Sequence, residues 1–352
     1  MFISAVAFLT VLSLLVLVHE YGHYRVARQL GVRVERFSIG FGRELVGWTR
    51  GDTRFRVSVI PFGGYVKLAG ESDESGTGAS WEYVSQPIIR RIAIVVAGVA
   101  ANMLFAYLLF VWLSASGYPV LTTVVGGLVD GYPAQAAGVM AGDRVMAVNG
   151  VPTTSWDAMS RLIHEQTHGP IQLEVERGGS RVTVTIEPRI TEGVDVVGRR
   201  ARRGFIGIVP SDQTVMVRHP VWEAVVVGAE RTWDVTRLTL WGLWGMITGQ
   251  VSWRSVSGPI GIAYLSGHAA RLGLVYLLHL MATISVNLAV VNLLPLPGLD
   301  GGHLLFLAAE RIRGRPLSLR VQEVIQQAAM VLLILLMVAV TYNDVVNLMA
   351  RQ

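Results

Sequence analysis

The stretch LLVLVHEYGHYRVARQL (Leu14–Leu30) decides how this chain is to be read, because an apolar run of the kind that crosses lipid ends in His19, Glu20 and His23. Ionisable groups at membrane depth cost a few kcal/mol each, so they usually line a functional interior rather than face lipid. The pattern is H-E-x-x-H. Residues four apart share one face of a helix, so His19 and His23 can offer imidazole nitrogens to one Zn2+, with Glu20 beside the metal-bound water as general base.

Composition agrees with a membrane setting. Of the 352 residues, 52% are hydrophobic and only 16% charged, and the mean hydropathy is +0.48, well above that of an ordinary soluble domain. The chain has no cysteine, which excludes disulfides and thiolate ligands and leaves His and carboxylates to hold a metal. The net charge of +5 comes largely from arginine. Arginines that flank apolar segments report membrane orientation, so the charge does not point to nucleic acid.

Four segments are long and apolar enough to span a bilayer, which takes about 20 helical residues: Phe2 to about Arg28, Ile92 to about Ser116, about Leu274 to Leu299, and about Gln326 to Leu348. The first lacks a positive n-region and a cleavage site, so it is expected to be retained rather than removed as a signal peptide. The loop after the first span carries Arg33, Arg36, Arg43, Arg50, Arg54, Arg56, Lys67, Arg90 and Arg91, and the link before the last carries Arg311, Arg313, Arg315 and Arg320. Both are expected on the cytoplasmic side, with the termini and the long middle segment outside. At 1.5 Å per residue, His19 and His23 then lie about 25–32 Å along the first helix, near the cytoplasmic end of the hydrocarbon.

The third span runs the same way and ends in NLAVVNLLPLPGLDGGH (Asn287–His303), which brings Asp300 to the depth of the two histidines. A catalytic zinc takes three protein ligands and leaves one position open. Asp300 is the candidate third ligand, with His303 as a rival and a helix N-cap as the plain structural role for Asp300. Pro295, Pro297, Gly298, Gly301 and Gly302 break the helix, which is tolerated at that depth only where protein or a water-filled cavity surrounds the backbone.

HEYGH in the first span, FSIGFG and IPFGGYVK in the following loop, SGPIGIA before the third span and NLLPLPGLDGGH at its end resemble the site-2 protease family of intramembrane zinc metalloproteases, from one end of the chain to the other. The resemblance implies zinc ligands at His19, His23 and Asp300, Glu20 as catalytic acid/base, and Asn292 in handling substrate or transition state. It also implies single-pass membrane substrates, namely an anti-sigma factor already trimmed outside the membrane and remnant signal peptides, in a bacterial cytoplasmic membrane. The alternative is a catalytically inactive membrane scaffold, which would be expected to lose Glu20 or a ligand.

FRVSVIPFGGYVKLAG (Phe55–Gly70) alternates apolar and polar residues, a hairpin pattern with its turn expected near Gly63 and Gly64. A membrane helix must be unwound before its peptide bonds can be cut, and an edge strand can hold the unwound segment. The substrate-holding candidates are Val57, Val59, Ile60, Gly63, Gly64 and Tyr65, with Pro295 and Pro297 at the end of the third span. By resemblance, the hairpin re-enters the membrane and Gly40 and Gly42 shape a neighbouring loop.

Outside the membrane, AQAAGVMAGDRVMAVNG (Ala134–Gly150), with its turn at Asn149-Gly150, resembles PDZ domains, which bind extended peptide ends or here act as a rigid filter. Close members of the family carry two such domains in tandem, and this chain has room for one. GRRARRG (Gly198–Gly204) reads as a solvated linker. Trp222, Val226, Ala229, Trp233, Leu240, Trp244 and Ile247 share one side of a helix, expected at the outer interface or against the PDZ-like part. The expected order is a span with H-E-x-x-H (1–28), a loop with the hairpin (29–91), a span (92–116), a PDZ-like α+β domain (117–192), linker and interfacial helix (193–273), a span (274–300), a cytoplasmic connection (301–325) and a last span (326–350). The fold class is therefore a multi-pass α-helical membrane protein with a membrane-associated β-hairpin and one extracytoplasmic PDZ-like domain.

Overall fold

The computed structural model describes residues 2–71, 77–194, 200–252, 257–315 and 317–349. In chain order its elements are α1 (Phe2–Gln29), β1 (Val34–Arg50), β2 (Thr53–Leu68), α2 (Ile88–Ser116), β3 (Tyr118–Leu121), β4 (Val125–Leu128), α3 (Pro133–Ala136), β5 (Arg144–Val148), β6 (Val151–Pro152) and α4 (Trp156–Glu165). There follow β7 (Ile171–Arg177), β8 (Ser180–Ile186), β9 (Arg189–Val194), β10 (Arg200–Phe205), β11 (Ile208–Pro210), β12 (Thr214–Val217), α5 (Val221–Ile247), α6 (Pro259–Leu272), α7 (Leu274–Asn292), α8 (Asp300–Arg313) and α9 (Leu319–Met349). Two compact units result, one of residues 1–113, 225–240 and 252–352, the other of 114–224 and 241–251.

In the first unit, α1, α2, α7 and residues 320–346 of α9 are long and apolar enough to cross a membrane. α2 begins at Ile88, a turn earlier than its apolar composition suggests, and α7 ends at Asn292 because Pro295 and Pro297 cannot continue a helix. Small residues set the close crossings. A Cβ on Gly22 of α1 would stand 2.4 Å from the Ala97 carbonyl oxygen of α2, and one on Gly267 of α6 would stand 2.6 Å from Ser4 Cα of α1. Val11, Leu15 and Met281 form the buried apolar seam of α1 and α7, with Phe105 and Leu109 of α2 against it.

The middle of α5 packs within this first unit, a place not among those expected for it. Gly228 abuts Val111 of α2, and Thr239 donates to Asn287 Oδ1 of α7 at 2.6 Å. The hydroxyls of Thr232 and Thr236 donate to carbonyls four residues back, which satisfies them in an apolar setting. The SGPIGIA motif opens α6, a helix of its own within the stretch read as linker and interfacial helix. Its first turn is capped from α9, as Asp344 accepts from Gly258 N and Gly261 N, each at 2.9 Å.

The hairpin also differs from expectation. Its tight turn is Gly51–Asp52, with Arg50 opposite Thr53, while Gly63 and Gly64 lie inside β2. β1 and β2 are both bent, so the pair makes four runs in the order 44–50, 53–60, 34–41, 64–68; the two outer pairings are antiparallel, and 36–41 runs alongside 54–60 in the same direction. At Pro-Phe-Gly-Gly β2 reverses direction as it passes from one side of β1 to the other, so the runs 53–60 and 64–68 flank 34–41 and do not pair with each other. Gly63 has φ +98°, a backbone that side chains rarely adopt.

The second unit holds a four-stranded sheet, β6-β5-β7-β8, with β4 paired to β11 and β3 to β12. Val145, Leu173, Val175 and Ile186 alternate inward to meet Met159 and Ile163 of α4. Asn149 (φ +49°) and Gly150 (φ +77°) form the turn between β5 and β6, as Asn-Gly favours. Asp143 is buried, and accepts from Met140 N and from both Nε and Nη2 of Arg177. This pairing holds the Asp143 carboxyl below the usual range. Residues 200–204 of the arginine-rich stretch are not a linker but part of β10, paired with β9; its first two residues lie outside the described ones. Composition reports solvation and does not reveal which backbone supplies the hydrogen-bond partners.

Candidate metal centre

α1 presents His19 and His23 on one face, one turn apart, and the break after α7 swings Asp300 in against them. His19 Nε2 lies 3.3 Å from Asp300 Oδ2, His23 Nε2 lies 3.5 Å from it, and the two Nε2 atoms are 3.2 Å apart. Ligand atoms held about 2.0–2.2 Å from a tetrahedral centre stand about 3.3–3.6 Å from one another, so the three atoms fit one zinc ion. Asp300 Oδ2 is buried and accepts no hydrogen bond, an orphan acceptor that a cation would satisfy. Asp300 does not cap α8: the N-cap is Leu299, without a side-chain bond, and Asp300 is the first helical residue. His303 lines the adjoining cavity but stands outside this ligand cluster.

The ring orientations are set by α2. His23 Nδ1–H donates to the Ile94 carbonyl at 2.8 Å, which leaves Nε2 free to face the centre. His19 Nδ1 stands 3.4 Å from the Asn102 side-chain amide, whose oxygen is otherwise buried without a partner. Turning the amide lets that oxygen accept from His19 Nδ1–H and fixes the same tautomer. Ser285 of α7 in turn donates to the Asn102 carbonyl at 2.8 Å. Gly98 makes room for both rings: a Cβ there would fall 2.3 Å from His23 Nε2 and 2.8 Å from His19 Cε1. Gly98 and Asn102 escape a reading that looks only for ligand motifs. The signal they leave is AGVAAN (Ala97–Asn102), small residues closed by one amide in an otherwise apolar span.

A cavity of ≈ 390 Å³ adjoins the cluster, lined by Glu20, Asn292, Glu71, Tyr83 and His303 as well as the three ligand candidates. Asn292 Nδ2 is 3.4 Å from His19 Nε2. Gly63, Gly64 and Tyr65 also line it, and Val66 and Leu68 continue the run, so the edge of the sheet at 64–68 borders the site. A Cβ on Gly64 would stand 3.5 Å from Glu20 Cγ and 2.6 Å from Ser38 O. Val57 is paired on both sides, with Ile39 and Val46, and so offers no free edge. Val59 and Ile60 are exposed with Phe41, Leu45, Val46 and Trp48, away from the cavity lining. Gly40 and Gly42, both at positive φ, form the bend of β1, where a Cβ on Gly40 would meet Ile60 O at 2.5 Å. Pro295 and Pro297 shape the loop that delivers Asp300 and do not line the cavity. Burial pushes the Glu71 carboxyl above its usual range, with His303 opposing the shift.

The model of peptidase family M50 matches residues 7–336. A protein of Agrobacterium fabrum, provisionally named a zinc metalloprotease, is 39% identical over 360 residues, covering 97% of this chain and 96% of its own. One of Rhizobium meliloti, named likewise, is 36% identical, with 96% and 95% covered. The regulator of sigma-E protease of Escherichia coli is 32% identical over 444 aligned residues, covering 96% of this chain and 97% of its own. A solved PDZ domain of the SdrC-like protein of Listeria innocua matches 26% of this chain and 96% of its own at 20% identity, with a TM-score of 0.21, too loose a superposition to bear on the fold. A family match that spans both the helix bearing His19 and the loop bearing Asp300 leaves one conclusion: this chain belongs to peptidase family M50, the site-2 type of zinc metalloprotease.

Proposed function

We propose that this chain is an intramembrane endopeptidase that cuts a peptide bond within or near the membrane segment of a single-pass substrate, close to the cytoplasmic face. The observation that carries this reading is the meeting of His19, His23, Asp300 and Glu20 at one cavity on an apolar helix long enough to span a bilayer. His19, His23 and Asp300 would hold zinc. When bound, zinc supplies Lewis acidity that polarises a carbonyl and lowers the pKa of water towards neutrality. Glu20 takes the proton from the attacking water, whose oxygen bonds to the scissile carbon, and returns a proton to the amine as the C–N bond breaks. Asn292 holds the substrate strand or the developing oxyanion. Residues 64–68 offer a sheet edge on which an unwound substrate segment can lie as an added strand.

The exposed apolar cluster of Phe41, Leu45, Val46, Trp48, Val59 and Ile60 supports a hairpin that dips into lipid. The arginine-rich loops support an active site near the cytoplasmic face of a bacterial inner membrane. The PDZ-like unit then lies outside, as a size filter or as the site of a peptide end. By analogy with the sigma-E regulator among its relatives, the substrate class is an anti-sigma factor trimmed beforehand on its outer side, in regulated intramembrane proteolysis. The test is to incubate a trimmed, tagged single-pass substrate with the purified protein in detergent and map the products by mass. A cut in or next to the apolar segment supports the reading, and cutting confined to soluble tails refutes it.

A further inference from the structure

α2 touches both histidines of the candidate centre, through the Ile94 carbonyl, Gly98 and Asn102. Asp300 opens a different helix, α8, which shares no extended backbone packing with another helix or strand among the described residues. Besides the buried Leu307, two points hold α8. At its start Gly301 and Gly302 rest on the loop from which it springs, where Cβ atoms would fall 2.1 Å from Leu294 O and 2.4 Å from Leu296 O. Near its other end Glu310 meets Arg91 of α2, with Arg91 Nη1 donating to Oε2 at 3.0 Å and Nη2 donating to Oε1. Arg91 is only 8% exposed.

The geometry points to a positioning clasp: we propose that the Arg91–Glu310 pair ties the helix bearing Asp300 to the helix that seats His19 and His23, and so aligns the third ligand. The proposal deepens the ligand assignment above and rests on it. Glu310 lies ten residues beyond Asp300, about 15 Å along the helix. Without that tie α8 is held by its first turn and by apolar contact at Leu307, which fixes neither its roll nor its tilt as a directional pair does and lets the carboxylate turn away. Held also at about 15 Å, with about 0.5 Å of play, it rotates by only about 2°, inside the tolerance a preorganised site needs. The forked guanidinium suits this task because two parallel hydrogen bonds fix rotation as well as distance. Stability is a weaker reason for such a pair, since the desolvation of two buried charges offsets most of their attraction.

The test compares zinc retention with thermal unfolding on the full-length protein in detergent, using a chromogenic chelator as competitor. The apolar pair R91M/E310L is expected to fold with a melting temperature near that of wild type, yet to give up zinc about 10–100-fold more readily. The exchange R91E/E310R is expected to recover part of the loss. In a D300A background the clasp change should add nothing, because its route to the metal is gone. The clasp is overturned if R91M/E310L keeps zinc at the wild-type level, or loses it equally with and without Asp300. Should that pair fail to fold, E310Q and the exchange decide by the same readout. A wild type that holds no zinc under these conditions overturns the ligand assignment itself, and a D300A chain that holds zinc as wild type does would single out that residue's assignment.

Discussion

Gly98→Ala is the sharpest perturbation of the candidate centre short of removing a ligand. The new Cβ would lie 2.3 Å from His23 Nε2, 2.6 Å from His23 Cε1 and 2.8 Å from His19 Cε1. Reaching ordinary contact at about 3.4 Å requires a displacement of about 1.1 Å, several times the roughly 0.2 Å within which metal–ligand distances are held. α1 has no room to slide sideways, because Gly22, next to His23, already sits against the carbonyl of Ala97, next to Gly98, at the same crossing. Zinc affinity should therefore fall at least about tenfold, with an overpacking cost of about 1–3 kcal/mol in stability. The assay is zinc per protein after dialysis against a chelator, read beside thermal unfolding, with Leu104→Ala on an exposed position of the same helix as control. A Gly98→Ala protein that holds one zinc as tightly as wild type and cleaves at the same rate would refute the packing argument.

Asn102→Leu should weaken zinc binding about 10–100-fold, since His19 loses the partner that fixes its tautomer; chelator competition reads this, and wild-type affinity would count against the assignment. Asp344→Ala leaves Gly258 N and Gly261 N without their acceptor, so thermal unfolding should show a loss of about 1–2 kcal/mol. Asp143 titrates below its usual range because Arg177 and Met140 N–H favour the charged form. A carboxyl with a lowered folded pKa contributes stability that is full above its unfolded value near about 4 and is lost as pH falls through the folded value. Amide exchange across β5 and β7 should accelerate over that acid window, and Asp143→Asn should remove the pH dependence and cost about 1–3 kcal/mol at neutral pH.

His19, Glu20 and His23 could be read from the sequence because their relation is local: a spacing of four on a helix fixes a shared face before any tertiary contact forms. Asp300 needed more, namely a second motif whose prolines and glycines break a span at the matching depth. Gly98, Asn102 and the Arg91–Glu310 pair, partners 219 residues apart, were hidden because helix crossings are decided by side chains that no local period connects. The hairpin turn was misplaced for a related reason. Pro-Phe-Gly-Gly and Gly-Asp both reverse the chain, and only the register shows that the runs beside Gly-Asp pair with each other while those beside Pro-Phe-Gly-Gly are separated by 34–41. The tryptophan face of α5 suggested an interface, yet Gly228 and the threonines carry its middle onto α2 and α7. Arg200–Arg203 looked like a linker, because charge reveals nothing about the backbone partners in β9.

The central claim is that Glu20 moves the proton at a centre built by His19, His23 and Asp300. The most direct measurement pairs zinc content with cleavage of a trimmed, tagged single-pass substrate by purified wild-type and Glu20→Gln protein. The account predicts about one zinc in each, with cleavage by the variant reduced at least about 100-fold. A variant that cuts at a rate close to wild type, or that loses its metal together with its activity, would contradict it.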